Sequence, residues 1–222
     1  GYLEDYASLG RGALDTYQAT GEVDHLVFAI DLARVIIEEF WDETDQTLYF
    51  TPQTGESLVA RPQEPDDSST PSSMGIAASL LFDLAHFVPD DRFQTVASAV
   101  IETHTTSLAS DPLSHTSLVI AADTRETGGL ELTVAADRLP ESWRQQFAGE
   151  YIPGRLLSVR PPTKEALGPW LNRLELDTAP PIWANREAHE NKPTLYACRS
   201  FTCSPPVHDP ETALSWAEQQ SF

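Results

Sequence analysis

Up to about Thr124 the apolar residues recur at helical spacing, and beyond Gly128-Gly129 the pattern shifts to strand spacing broken by short helices. Leu3, Tyr6, Gly10, Ala13, Leu14 and Tyr17 mark one face of a first helix over residues 2–20, with small residues for close packing, and Gly21 ends it. Asp24 caps a second helix. Its apolar positions (Leu26, Val27, Ile30, Ala33, Ile36, Ile37, Phe40, Trp41) cover more than one face, which predicts burial on two sides. Short apolar runs at 48–50 and 58–60 flank a turn at 52–55 and predict a β-hairpin. Ile76, Ala77, Leu80, Leu81, Leu84, Ala85 and Phe87 make a third helix, ended near Pro89. Asp90 or Asp91 starts a fourth through Phe93, Val96, Ala97, Val100 and Ile101, and Asp111-Pro112 opens a fifth through Leu118, Val119, Ala121 and Ala122. Helix pairs joined by short turns and returning at intervals of about forty residues read as an α/α repeat, a solenoid or a toroid.

The last third alternates strand and helix. Residues 130–136, 156–159 and 195–199 read as strands of a predominantly parallel sheet. Helices are expected over 140–151, with Trp143 and Phe147 on one face, and after Thr163 through Leu167, Trp170, Leu171 and Leu174. Asp209-Pro210 is a cap and first-turn signal for a final helix.

Composition changes this picture in one respect. The 222 residues carry 34 Asp and Glu against 14 Lys and Arg, a net charge of −20, and the only lysines are Lys164 and Lys192. A polyanion is repelled by such a surface, so nucleic acid is excluded as a partner class. Many carboxylates with almost no Lys point to a halophilic protein of a salt-saturated cytoplasm, where screening removes the self-repulsion; the plainer reading is an ordinary acidic protein. With 41% hydrophobic residues the chain can bury a sizeable core. Charges interrupt every long apolar run, so no membrane span and no signal peptide are read, and the expected location is cytoplasmic.

The longest polar interval of the helical half, LVARPQEPDDSSTPSSMGIA, offers candidate chemistry. Arg61, Asp66, Asp67 and a Ser/Thr cluster that includes Ser72 precede a helix N-terminus, a place where free N–H groups can receive a polyol or an anion. The same residues read equally well as a capped loop, with Thr70 as N-cap and Pro71 at the first helical position. Cys198 and Cys203, spaced C-x4-C, cannot complete a zinc site, even with His208 as a third ligand. They are expected to be two reduced, structural thiols, and no metal or cofactor is called for.

Tyr196-Ala197-Cys198, Phe201, Cys203, Pro205-Pro206-Val207 and Asp209-Pro210 resemble the closing signature of thioredoxin-domain proteins related to spermatogenesis-associated protein 20, which carry domain of unknown function 255. Glu4-Asp5-Tyr6-Ala7, Phe40-Trp41-Asp42, Arg61-Pro62, and Asp67 followed by Pro71-Ser72 stand in the family's order, so the resemblance covers essentially the whole chain. After the Pro-Ser the family usually shows Gly-Asn, whereas Ser73-Met74 stand here. The resemblance implies a mainly α fold class: partial (α/α)6 toroid helix hairpins of the six-hairpin glycosidase and N-acylglucosamine 2-epimerase kind, with a small C-terminal α/β subdomain. Residues 1–126 would form part of the toroid with a β-hairpin insertion, and 127–222 the α/β subdomain with its C-terminal helix. It further implies an N-terminal thioredoxin-like domain and remaining toroid helices outside this sequence as partners, so no disulfide oxidoreductase activity is expected of these residues. An open half-toroid would expose apolar helix faces and self-associate.

Toroids of this class resemble sugar-processing enzymes, which makes a carbohydrate the expected small-molecule partner. The acids at the helix ends, Asp5 and Asp67, are the candidates for general acid and base, with Glu4, Tyr6, Arg61, Asp66, Ser72 and His115 as substrate-binding residues. Set against this, Glu4 and Asp5 suit a first helical turn, Asp66 and Asp67 suit an acidic surface, and His115 suits packing, as do His86 and His104. The alternative function is a non-catalytic scaffold or binding module for the thioredoxin-like domain.

Overall fold

The computed structural model describes residues 1–54, 60–199 and 202–219. They form two compact units, one made of Gly1–Leu14 with His25–Glu126 and the other of Asp15–Asp24 with Thr127–Phe222. The fold is mainly α with a small sheet. Among the described residues no helix is long and apolar enough to cross a membrane.

In the first unit, helix α1 (Leu3–Thr20) supplies its early turns and is followed by α2 (Val23–Val35). The apolar run of α2 does not continue as α-helix. It widens into a π-helical turn, Ile36–Phe40, that buries Ile36, Ile37 and Phe40 together, and Trp41 then enters an extended strand. Strand β1 (Trp41–Asp42) pairs antiparallel with β2 (Thr47–Leu48). Asp42 Oδ1 accepts from the Thr44 and Asp45 N–H groups and so shapes the reversal, with Gln46 at φ 51°. The hairpin is therefore displaced from the expected one: residues 47–48 pair upstream with 41–42. Of the expected partner, residues 58 and 59 lie outside the described residues. Phe50 instead donates its N–H to Pro62 O at 2.9 Å.

Helix α3 (Ser73–Ala85) begins later than the Thr70-Pro71 signal predicts, because Ser72 is the N-cap and its hydroxyl accepts from Gly75 N. Helix α4 (Asp91–Thr103) is capped by Asp90, which also takes the Arg92 guanidinium. A short α5 (Thr105–Ser110), unforeseen as a separate element, leads to a 3-10 turn at Pro112–His115 and then α6 (Thr116–Thr127). Gly75 has a packing reason: a Cβ there would stand 2.4 Å from Ser117 Cβ and 2.8 Å from Ser117 C, so only glycine allows α3 to lie this close to α6.

The second unit holds β3 (Leu130–Ala135), α7 (Glu141–Gly149), β4 (Arg155–Arg160), α8 (Lys164–Arg173), β5 (Thr194–Arg199), β6 (Thr202–Cys203) and α9 (Pro210–Gln219). The sheet order is β4-β3-β5-β6. Only β3 and β4 run parallel; β3 with β5 and β5 with β6 are antiparallel, so the sheet is mixed rather than predominantly parallel. Period-2 alternation sends Leu130, Leu132, Val134, Leu157, Val159, Leu195 and Ala197 to one face, where Trp143 and Phe147 of α7 and Ala213 and Ala217 of α9 complete a core. Thr133, Ser158, Tyr196 and Cys198 occupy the alternate positions. There Trp183, fully buried, donates its indole N–H to Ser158 Oγ at 2.5 Å.

The outer edge of β4 is satisfied by side chains of the Asp15–Asp24 segment. Val159 N donates to Tyr17 Oη, Tyr17 Oη donates to Val159 O at 2.7 Å, and Leu157 N donates to Gln18 Oε1 at 2.8 Å. Two side chains thus take the place of a fifth strand, which closes an otherwise open edge. Burial of Tyr17 raises its phenol pKa, so the hydroxyl keeps the proton it donates.

At the opposite rim the two cysteines depart from expectation. Cys198 and Cys203 are directly paired across β5 and β6 and are joined by a disulfide, with Cα atoms 4.0 Å apart. They are not reduced thiols: the antiparallel β5–β6 return puts them opposite one another, a juxtaposition the C-x4-C spacing alone does not reveal.

Candidate functional site

The candidate residues of the first unit all lie on or beside three segments: the start of α1, the chain around the hairpin, and the loop from Arg61 to Ser72. Phe50 links them through its backbone, accepting from Leu3 N at 2.9 Å and donating to Pro62 O at 2.9 Å, while its ring stacks on Tyr2 with centroids 5.0 Å apart.

Arg61 is tied to the hairpin. Its Nε and Nη2 donate to Thr51 O at 3.2 and 2.6 Å, Nη2 reaches Glu39 O at 3.5 Å, and the guanidinium lies 4.3 Å from the centroid of the Tyr49 ring. Its carboxylate neighbour is Asp42, at 3.9 Å. Among the described residues Arg61 pairs with neither Asp66 nor Asp67, so it does not pin the loop by a local ion pair with them.

Asp67 does the pinning. Its Oδ1 accepts from Ser72 N at 2.8 Å and from the Ser117 hydroxyl, its Oδ2 accepts from Ser117 N at 2.9 Å, and its own N–H donates to Ser114 O at 2.7 Å. Desolvation by partial burial pushes its pKa up, but the hydrogen bonds from Ser117, Ser72 and Thr116 together outweigh this and hold the carboxyl below the ordinary range. Ser72 is itself buried. It donates its hydroxyl to Glu64 O at 2.8 Å and accepts from Gly75 N at 3.3 Å.

Asp66, exposed, meets buried His115, whose Nε2 is 3.0 Å from Asp66 Oδ1 and whose Nδ1 is 2.8 Å from Asp111 O. A carbonyl and a carboxylate both only accept, so the two bonds coexist when both ring nitrogens carry protons. His104 is also buried. Its Nε2 is 3.1 Å from Thr47 Oγ1, and the Thr47 hydroxyl is 3.9 Å from Met74 Sδ. Desolvation, then the nearby His115, lowers the His104 pKa against the opposing pull of Asp66.

Glu4 and Asp5 are exposed in the first turn of α1, where Asp5 Oδ2 accepts from Tyr2 N at 2.8 Å. Tyr6 is half-buried against Phe40, with ring centroids 5.4 Å apart. The structure therefore makes one bonded group of Asp67, Ser72 and Ser117, a second of Asp66 and His115, a third around Arg61, and leaves Glu4 and Asp5 on the helix start. Sequence reasoning missed Ser117, Asp42 and the His104–Thr47 pair. A hydroxyl opening the apolar run SLVI, next to Thr116, was the available signal for Ser117, but its partner lies 50 residues away.

The second unit holds a groove of about 320 Å³, lined by Leu130, Tyr151, Arg199, Glu211, Leu214 and Glu218 among others, that none of the sequence candidates reaches. Among the described residues no group of three or more His, Cys, Asp or Glu is placed to hold a metal ion.

No protein-family model matches the chain. It is similar to spermatogenesis-associated protein 20 of Homo sapiens, 23% identical over 214 residues, which covers 95% of this chain and 26% of that protein. The same protein of Rattus norvegicus is 22% identical over 95% of the chain. An uncharacterized protein of Caenorhabditis elegans is 23% identical over 93% of the chain and 27% of its own length. The chain thus spans about a quarter of the length of the curated relatives it matches.

Proposed function

We propose, with the likeness to spermatogenesis-associated protein 20 as premise, that this chain is a non-catalytic scaffold and binding segment of a larger protein of that type, whose thioredoxin-like domain and further toroid helices it supports. The observation that carries this reading is the state of Asp67. A general acid must hold a proton near neutral pH and a general base must have a free lone pair aimed at substrate. Asp67 has neither property, since its two oxygens are engaged by Ser72 and Ser117 donors and its pKa is lowered. Its chemistry is that of a fixed acceptor holding two helix starts together. Exposed Leu9, Phe28, Leu113 and Ile120, on α1, α2, the 3-10 turn and α6, supply the apolar surface that further helices would cover. The test is calorimetric titration of the chain with separately produced thioredoxin-like and helical portions of the same protein. Saturable binding is expected; no binding to either portion overturns the reading.

A second reading, a carbohydrate-binding or carbohydrate-processing site, is favoured by the Phe50 link, which sets the acids of α1 and the Arg61 loop on segments bonded to the same residue. In that case Asp5, Glu4, Tyr6, Arg61, Asp66 and His115 would contact a polyol, with Asp5 rather than Asp67 available for proton transfer. Titration with neutral mono- and disaccharides and with N-acetylated amino sugars checks it: binding lost in Asp5→Asn supports this site, and silence with every sugar removes it.

A further inference from the structure

We propose that Cys198 and Cys203 form a thiol–disulfide exchange site, in which an external thiolate attacks the exposed Cys203 sulfur and Cys198 leaves as a thiolate held by Arg186. Three observations carry this.

The first is asymmetry of access. Cys203 lies exposed on β6, the rim strand, whereas Cys198 is 3% exposed on β5. An incoming thiol therefore reaches one sulfur, and the leaving group is fixed as the other.

The second is Arg186. Its guanidinium is 13% exposed and is held by Ile182 O at 2.6 Å, Thr133 Oγ1 at 3.2 Å and the Glu131 carboxylate at 3.1 Å, all through Nη1. The free fork arm, Nη2, points at sulfur, 3.1 Å from Cys198 and 3.8 Å from Cys203. A disulfide sulfur is a weak acceptor, so this N–H gains little in the oxidised state. A thiolate in the same place gains a charge-assisted hydrogen bond from a pre-positioned cation. Arg186 therefore favours the reduced form and makes Cys198 the better leaving group. Glu131, the cross-strand partner of Cys198 and on the same face of the sheet, binds the other arm of the guanidinium, so it tempers the cation and partly opposes a thiolate at Cys198.

The third is what remains after cleavage. Ser204 N still donates to Ala197 O at 2.7 Å, Ala197 N to Ser204 Oγ at 3.2 Å, and Leu195 and Val207 exchange backbone bonds at 2.8 and 3.0 Å. The break occurs at the rim of the sheet, outside the core of Leu130, Leu132 and Val134, so reduction removes the covalent link between β5 and β6 without opening the unit.

The step balances as follows. A thiolate of the reductant bonds to Cys203 Sγ, the Cys198–Cys203 bond breaks, and its electron pair leaves on Cys198 Sγ. A second thiol of the reductant then displaces the Cys203 sulfur. The pair gains two electrons and two protons, and the dithiol, or two molecules of a monothiol, becomes a disulfide.

The experiment equilibrates the native chain in buffers of reduced and oxidised glutathione, and in parallel with dithiothreitol, reading the oxidised fraction by thiol alkylation and the fold by circular dichroism. Reversible reduction with an unchanged fold is expected; resistance to both reagents without denaturant overturns the proposal. Acid-quenched glutathione adducts cleaved by trypsin after Arg199 separate the two cysteines, and the adduct is expected on Cys203; an adduct on Cys198 overturns the assigned direction. Arg186→Met should make the disulfide about tenfold harder to reduce, about 30 mV for a two-electron couple, with Arg186→Lys recovering part of the change. Should Arg186→Met fail to fold, the ultraviolet thiolate absorbance of Cys203→Ser reports Cys198 alone. Titration below the ordinary thiol value of about 8.5 supports the role of Arg186, and titration at or above it sinks the proposal.

Discussion

Asp67 and Ser73 show how single side chains set the stability of the first unit, in opposite directions. The Asp67 carboxylate answers the Ser72 and Ser117 N–H groups and the Ser117 hydroxyl, so Asp67→Asn keeps one accepting oxygen, removes the charge and sets an amide N–H against a donor that the other oxygen served. A loss of about 2 kcal/mol at neutral pH is expected, the usual cost of removing a charged partner from such a network. The pH dependence follows from linkage. The folded pKa lies below the unfolded one, so the stabilisation is complete above the ordinary carboxylate value of about 4 and is lost as pH falls through the lower folded value. Urea unfolding from neutral pH down to about pH 3 should show a steeper drop than in Asp67→Asn, where Asp90 and other carboxylates with lowered pKa still contribute; equal slopes in the two proteins would refute the assignment. Ser73 is the converse case. It is 5% exposed, and its hydroxyl is buried with no hydrogen-bond partner among the described residues. Ser73→Ala removes an unsatisfied polar group from the start of α3 and should raise the unfolding free energy by about 1 kcal/mol. A destabilised Ser73→Ala would show that the hydroxyl has a role in the folded state.

Elements were legible where their own residues carry the pattern and illegible where a distant partner decides. Asp90, Thr163 and Asp209 cap α4, α8 and α9 through the side-chain bonds that their positions before an apolar-periodic run imply. β3, β4 and β5 follow from alternation because one face meets α7 and α9 and the other meets polar groups. The start of α3 moved from Thr70 to Ser72 because the Asp67 carboxylate takes the Ser72 N–H, a choice no local propensity contains. The hairpin moved because the π-helical turn at Ile36–Phe40 releases Trp41 into a strand that a continuous apolar run disguises. Of the candidate site, Asp67 and Ser72 were readable as a pair near a helix start, but their third member, Ser117, is brought in by α6. Two substitutions test these long-range joints. A Cβ at Gly75 meets Ser117 and the Leu118 N–H at 2.4–2.9 Å, and backbone cannot give way as a flexible side chain can, so Gly75→Ala should cost the first unit about 2 kcal/mol or more. Tyr17→Phe deletes the hydroxyl that serves both the N–H and the C=O of Val159 on the open edge of β4. Its expected cost is about 2 kcal/mol, with faster amide exchange at Val159. Exchange unchanged at Val159 would mean that the edge is closed by other means.

At the scale of the whole molecule the dominant quantity is charge. Thirty-four acidic residues face 14 basic ones, for a net −20, and several of those cations are already engaged: Arg92 with Asp90, Arg125 with Glu102, Arg144 with Glu141, Arg173 with Asp24. Exposed pairs of this kind contribute at most about 1 kcal/mol each, while the surplus carboxylates repel one another across the surface. Salt acts on both terms with different weight. At about 0.1 M the screening length is about 10 Å and neighbouring acids still repel; at about 1 M it is about 3 Å, so repulsion beyond contact distance vanishes while bonds made at contact, such as Asp67 to Ser117, persist. Removing a net repulsion from the folded state raises its stability, since the expanded chain spaces the same charges further apart. The melting temperature is therefore expected to climb steadily in potassium chloride from about 0.1 M to about 2 M. A control in which surface Asp and Glu residues remote from the Asp67 cluster are replaced by Asn and Gln should melt higher at low salt and gain less from added salt. Equal or lower stability of the natural chain at molar salt would show that its carboxylates are balanced locally, and that the surplus charge is not what limits the folded state.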